Sequence, residues 1–206
     1  MVNIVLASGN RGKLTELTDL LRDVPVTVVA QSDFNVPEAA ESGLSFIENA
    51  IIKARNAAAF TECPALADDS GIAVDALAGA PGIYSARYAG DGASDVENLE
   101  KLLAATEHVP DEQRQCRFIC VAAFVRNATD PLPVVCEGIW SGRLLRAPVG
   151  TYGFGYDPIF YVPDRNSSSA ELKSEVKNEI SHRAQALRQM VRVLSDEFSC
   201  AASFSS

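Results

Sequence analysis

Asn3-Ile4-Val5-Leu6-Ala7 followed by Ser8-Gly9-Asn10-Arg11-Gly12-Lys13 reads as a buried strand running into a glycine-rich turn, and Leu14, Leu17, Leu20 and Leu21 then line one face of a helix. Strand, turn and helix in that order is the building unit of an α/β fold. Working outward, residues 26–30 read as a second strand and residues 32–44 as an acid-rich polar loop ending at Gly43. Ser45 and Glu48 form the capping box of an alanine-rich helix reaching about Phe60. Ala65-Leu66-Ala67 is a short buried strand that ends on Asp68-Asp69-Ser70-Gly71. Residues 77–92 hold too much glycine to be regular, and Ser94 with Glu97 caps the next helix. Residues 115–126 and 132–141 predict an antiparallel strand pair, because the link between them is short. A second glycine-rich turn spans 150–158, a polar stretch follows, and Ser181 opens a terminal helix with Ala184, Leu187, Val191, Leu194 and Phe198 on its inner face. The fold class expected is α/β with a mixed sheet: one domain over residues 1–198, in two lobes with a cleft between them, and a frayed tail at 199–206.

At 206 residues the chain is long enough to bury a core without disulfides or structural metals. Its apolar runs are too short to cross a bilayer, and no basic segment precedes the first strand, so a signal peptide is not expected and a cytoplasmic location is. Five cysteines with no C-x-x-C pair are read as reduced thiols packed as small hydrophobes. A net charge of −9 argues against a nucleic-acid polymer as partner, whereas a small anion remains possible if a local cation cluster or a metal offsets the field. With only two histidines, His-rich metal sites and H-E-x-x-H proteases are excluded. The G-x-S-x-G elbow, the G-x-x-x-x-G-K-[ST] loop and a G-x-G-x-x-G turn after the first strand are all absent.

Four features carry chemistry. At 8–13 the glycines let backbone approach a ligand, amides at a helix start point at an anion and Lys13 supplies charge, although a tight turn with a solvated lysine fits equally well. Asp68, Asp69 and Glu41 are carboxylates suited to a hard cation such as Mg²⁺, although Asp68 or Asp69 could instead cap an Asp-Ser-Gly turn. His182 and Arg183 follow Ser181 in a first helical turn, where the macrodipole favours acids, and Lys177 adds to the same cationic end. The glycines of Gly153-Phe154-Gly155-Tyr156-Asp157-Pro158 would leave Phe154 or Tyr156 free to stack on a base, unless the ring is a core anchor. Lys53, by itself, is a surface lysine.

Together S-G-N-R-G-K at 8–13, F-I-E-N-A at 46–50, A-D-D-S-G at 67–71, G-A-P-G-I-Y-S-A-R-Y at 79–88, G-F-G-Y-D-P at 153–158 and S-H-R at 181–183 resemble the inosine triphosphate pyrophosphatase family. The resemblance implies a long mixed, twisted sheet with flanking helices, a nucleotide in the cleft between lobes, and a homodimer. It implies Mg²⁺-dependent hydrolysis of deaminated purine nucleoside triphosphates to monophosphate and pyrophosphate. It further implies that Ser8, Gly9, Asn10, Arg11, Gly12, Lys13 and Lys53 hold the triphosphate, that Glu41 and Asp69 hold Mg²⁺, and that Asp69 is also the base. Ser70 would touch substrate, Phe154 would stack on the base within the loop that includes Gly155 and Tyr156, and Asp157, Lys177, His182 and Arg183 would read the base edge. Alternatives are a pyrophosphatase for pyrimidine or methylated nucleotides, and a nucleotide sensor without turnover.

Overall fold

β-branched residues make strands of β1 (Val2–Leu6) and β2 (Val26–Ala30), which pair in parallel with Ile4 opposite Val28. On its other side β1 runs parallel to β3 (Ala65–Val74), Val5 opposite Ala65. The structure, a computed structural model, describes residues 2–8, 18, 21–22 and 24–203, the last five of these by backbone alone. The turn from Gly9 to Lys13, most of the helix expected after it, and the final three residues of the expected tail lie outside the described residues.

Among the described residues one sheet has seven strands in the order β2-β1-β3-β4-β5-β6-β7, where β4 is Gln115–Val125, β5 Val134–Leu144, β6 Phe160–Val162 and β7 Ser167–Ser168. β5, β6 and β7 pair antiparallel, so the sheet is mixed, as expected. β4 and β5 are neighbours joined only by residues 126–133, too few for a parallel crossover. Asp130 closes that connection by accepting from the amides of Arg126 and Leu132, both at 2.9 Å.

One expectation is corrected here. Asp68-Asp69-Ser70-Gly71 does not end a short strand in a turn; it lies in the middle of the ten residues of β3. β3 lies between β1, which it pairs at Ala65 and Leu66, and β4, and its place inside the sheet outweighs the local preference of Asp, Ser and Gly for a turn.

Helix α1 (Phe46–Thr61) starts where the capping box puts it, with the Ser45 hydroxyl accepting from the Glu48 amide at 3.2 Å and Glu48 Oε2 accepting from the Leu44 amide at 2.9 Å. α2 (Asp95–Ala105) has the complete Ser94/Glu97 box. A short helix, α3 (Ser174–Ile180), stands where only a polar stretch was expected, and α4 (His182–Ser203) follows with Ala184, Leu187, Met190 and Leu194 buried. No described helix is long and apolar enough to cross a membrane.

The chain forms two compact units: residues 1–69, 121–137 and 186–206, and residues 70–120 and 138–185. In the first unit one buried cluster, on the α1 side, is built from small side chains, Ala54, Ala57 and Ala58 with Val5, Ala7, Ala65, Ala67 and Val125, while Ile4, Leu66, Phe124, Met190 and Leu194 are also fully buried in that unit. The core of the second is built from rings, Phe118, Trp140, Tyr156 and Phe160, around Ile72, Val74, Leu99 and Leu102.

Candidate active site

In the first unit the geometry begins with helical spacing. Asn49 and Lys53 are four residues apart on α1 and share a face. Alanine at 54, 57 and 58 leaves little side chain between this helix and its neighbours, so a lysine stem on the same helix reaches a strand directly. Lys53 Nζ donates to Asp69 Oδ1 at 2.7 Å and pairs with Glu41 Oε1 at 3.1 Å. Lys53 is therefore not a surface lysine, and three residues the sequence placed on a loop, a helix and a strand meet at one ammonium group.

The adjacent acids are told apart by the strand. Side chains alternate across a sheet, so Asp68 and Asp69 point to opposite faces, and it is Asp69 that meets Lys53. Burial pushes the Asp69 carboxyl above its ordinary range and outweighs the Lys53 ammonium, because only Oδ1 has that partner while Oδ2 is buried with no hydrogen bond among the described residues. Burial works against the Lys53 charge as well, but Asp69 and Glu41 together hold its pKa above the usual lysine value. Among the described residues no group of three histidine, cysteine or acidic side chains is arranged to hold a metal ion, and the two expected metal ligands, Glu41 and Asp69, both pair with Lys53. Of the expected phosphate turn, only Ser8 is described, its amide donating to the Leu6 carbonyl at 2.9 Å, and Gly9, Asn10, Arg11, Gly12 and Lys13 lie outside the described residues.

In the second unit the glycine-rich loop separates its two aromatics. Phe154 is 57% exposed, whereas Tyr156 is 5% exposed and donates its hydroxyl to the Ser85 carbonyl at 2.8 Å. Burial raises the Tyr156 pKa further, so this ring is a core anchor and Phe154 the open platform. Asp157 organises the loop: Oδ1 accepts from Ser169 Oγ at 2.8 Å, and Oδ2 accepts from the Phe154 amide at 3.0 Å and Lys177 Nζ at 2.5 Å. Gly153 is required at this place, since its φ is +83° and a Cβ there would stand 2.1 Å from Asp157 Oδ2. The Gly155 amide donates to Asp95 Oδ2 at 2.9 Å, tying the loop to the start of α2. These bonds fix the positions of the Asp157 carboxylate and the Lys177 ammonium, each of which retains further hydrogen-bonding capacity.

Ser181 caps α4, its hydroxyl accepting from the Ala184 amide at 3.2 Å. His182 stacks on Phe118 with centroids 4.8 Å apart and planes 11° apart, which fixes the ring against the aromatic core. Arg183 lies with its guanidinium carbon 5.8 Å from the centre of Phe154. The expected cluster of Phe154, Arg183 and the Asp157–Lys177 pair is thus gathered within this unit, and Ser70 stands half-buried in β3 at the start of the same unit. Three residues that shape these sites were not singled out from sequence: Ser85, Ser169 and Asn49. Of these, Asn49 and Ser85 lie within the motifs at 46–50 and 79–88, and Asn49 is also a poor helix former in the first turns of a helix otherwise rich in alanine.

Comparison with known proteins identifies the family. The model of the Ham1 family matches residues 4–193. A dITP/XTP pyrophosphatase of Vibrio cholerae is 58% identical, over 97% of this chain and all of its own length, and one of Escherichia coli is 57% identical, over 94% of this chain and 98% of its own. The structure of a HAM1 protein from Coxiella burnetii superposes with a TM-score of 0.92 at 51% identity, covering 95% of this chain and all of the other. The chain belongs to the Ham1 family.

Proposed function

We propose that this chain hydrolyses deaminated purine nucleoside triphosphates, dITP, ITP and XTP, to the monophosphate and pyrophosphate with Mg²⁺ as its metal. One observation carries the reading: Lys53 is held between Glu41 and Asp69 while the second oxygen of Asp69 is buried and bare. Mg²⁺ takes one or two carboxylates and completes its shell with water and phosphate oxygens, and two acids with an unfilled buried acceptor fit that donor set. Bound there, Mg²⁺ would neutralise charge on the phosphate oxygens. Lys53 turns from the carboxylates to the incoming triphosphate, joined by Ser70 and the turn at 8–13. Asp69 orients the attacking water and takes its proton as the anhydride link between the α and β phosphates breaks. Little covalent help is needed for such a step, so positioned charge supplies most of the rate.

Phe154 carries the base, and the adjacent Arg183 gives selectivity. A guanidinium only donates, so it suits the 6-keto acceptor of hypoxanthine and xanthine and opposes the 6-amino group of adenine. Guanine shares the keto group and is rejected at position 2, where its amino group loses water without gaining a partner. The two related enzymes act on dITP and XTP by name, which supports this substrate class. The same reading takes the protein to be a cytoplasmic homodimer that binds no nucleic-acid polymer.

Pyrophosphate release from ITP, XTP, dITP, ATP and GTP, with and without Mg²⁺, tests the proposal. Fast Mg²⁺-dependent release from the first three and slow release from ATP and GTP is the expected pattern. Binding without release would make the protein a sensor, and preference for pyrimidine nucleotides would overturn the assignment of the base site.

A further inference from the structure

Asn49 is fully buried in α1, one turn before Lys53. Its Oδ1 accepts from the Gly43 amide at 2.9 Å, and this donor fixes which end of the amide is oxygen. The approach is close enough to demand glycine: a Cβ at Gly43 would stand 2.7 Å from Asn49 Oδ1 and 2.6 Å from Glu48 Cβ. The other end, Nδ2, is buried without a hydrogen-bond partner among the described residues, and so is Asp69 Oδ2. Asn49 acts on the Asp69 carboxylate in the sense of a donor, favouring its charged form, and each residue keeps one buried polar atom without a partner among the described residues.

Glu41 lies two residues before Gly43, so the backbone that Asn49 grips is the one that carries Glu41. Two braces therefore join the Glu41 loop to Asp69. Lys53 does it by charge, and Asn49 does it through a neutral amide. With Lys53 drawn to a triphosphate, Asn49 still joins the Glu41 loop to Asp69 while the two carboxylates take the metal. We propose that Asn49 is a positioning residue for hydrolysis, holding the Glu41 loop through Oδ1 and steadying the bare oxygen of Asp69 through Nδ2. The inference rests on the assignment of Asp69 as the base. It acts on the orientation of that base rather than on substrate binding, so its loss appears in kcat.

A double-mutant cycle with dITP tests it. Asn49→Ala lowers kcat by about 10- to 100-fold with KM within about threefold, the range found for residues that orient a reactive group. In an Asp69→Asn background the same change costs no more than about twofold, because the group it steadies is gone. Equal losses in both backgrounds, or a loss confined to KM, would show that Asn49 serves only the fold and would overturn the proposal. Should Asn49→Ala fail to fold, Asn49→Asp carries the test, since an oxygen still accepts from Gly43 while the donor toward Asp69 is replaced by a carboxylate. Retained thermal stability with a kcat drop of at least about tenfold is expected, and wild-type kcat in Asn49→Asp overturns the idea. Wild-type turnover of dITP separates the two levels: without it the functional assignment itself fails, and with it an uncoupled Asn49 removes only this inference.

Discussion

The packing around Lys53 and the packing around Phe154 are opposite in kind. Around Lys53, the cluster beside α1 is filled with alanine and valine, which keeps α1 close to its neighbours and lets a short set of charges meet at 2.7 and 3.1 Å. Around Phe154, the second unit fills its core with Phe118, Trp140 and Phe160, and the polar groups of the loop are satisfied locally by Asp157, Ser169 and Lys177. Close approach is what phosphate chemistry needs, because charge stabilisation falls with distance and rises with exclusion of water. A flat, rigid apolar base is what a purine site needs. On the proposed function the contrast has a use for each region, and the two should fail in different ways.

The largest effect is expected from truncating the aromatic side. Phe160 is fully buried and touches the rings of Phe118 and Trp140 at centroid distances of 4.5 and 5.0 Å, so Phe160→Ala should lower stability by about 3–5 kcal/mol, measured by denaturant unfolding. A loss below about 1 kcal/mol would mean that the ring core is not what holds this unit together. Next comes Asp69→Asn, which should leave a folded protein with turnover down at least about 100-fold, about 2.7 kcal/mol in the barrier. Activity within a few-fold of wild type would remove Asp69 from the reaction. The alanine core should respond in the reverse sense from the ring core: Ala57→Leu, a change toward larger size at a position with no exposure, should cost about 1–3 kcal/mol by overpacking. Because it pushes α1 outward it should also slow turnover, and unchanged stability would show that the helix has room to spare. Smallest is Arg183→Ala, which should narrow the ratio of kcat/KM for ITP over ATP by about tenfold, or about 1.4 kcal/mol. An equal loss on ITP, ATP and GTP would place Arg183 on the phosphates or in the scaffold.

Helix starts were legible in the sequence because capping is local: Ser45 with Glu48 and Ser94 with Glu97 place α1 and α2 to within a residue. β3 was not, because whether Asp-Ser-Gly turns or extends is decided by neighbouring strands that lie far away in the chain. Phe154 and Tyr156 both neighbour Gly155, and a hydroxyl partner at Ser85, itself far off in sequence, tells the open ring from the anchored one. α3 was missed because its seven residues, Ser174–Ile180, bury none of their side chains and so carry no apolar period. Asn49 was passed over for a related reason. A polar residue inside a helix is ordinarily solvated, and nothing local announces that Gly43 will present its amide there.

The boundaries between the two units fall inside regular elements, at 69/70 in β3, 120/121 in β4, 137/138 in β5 and 185/186 in α4. During synthesis, then, the unit holding Glu41, Lys53 and Asp69 begins with the first residues of the chain and is completed only by residues 186–206. A nascent chain that has just added Arg183 already contains every candidate site residue, yet it lacks Leu187, Met190 and Leu194, which are buried in that unit. The aromatic unit, whose last segment ends at Gln185, can be finished first. The unit that holds Glu41, Lys53 and Asp69 would thus close only once the buried turns of α4 around Leu187, Met190 and Leu194 are made.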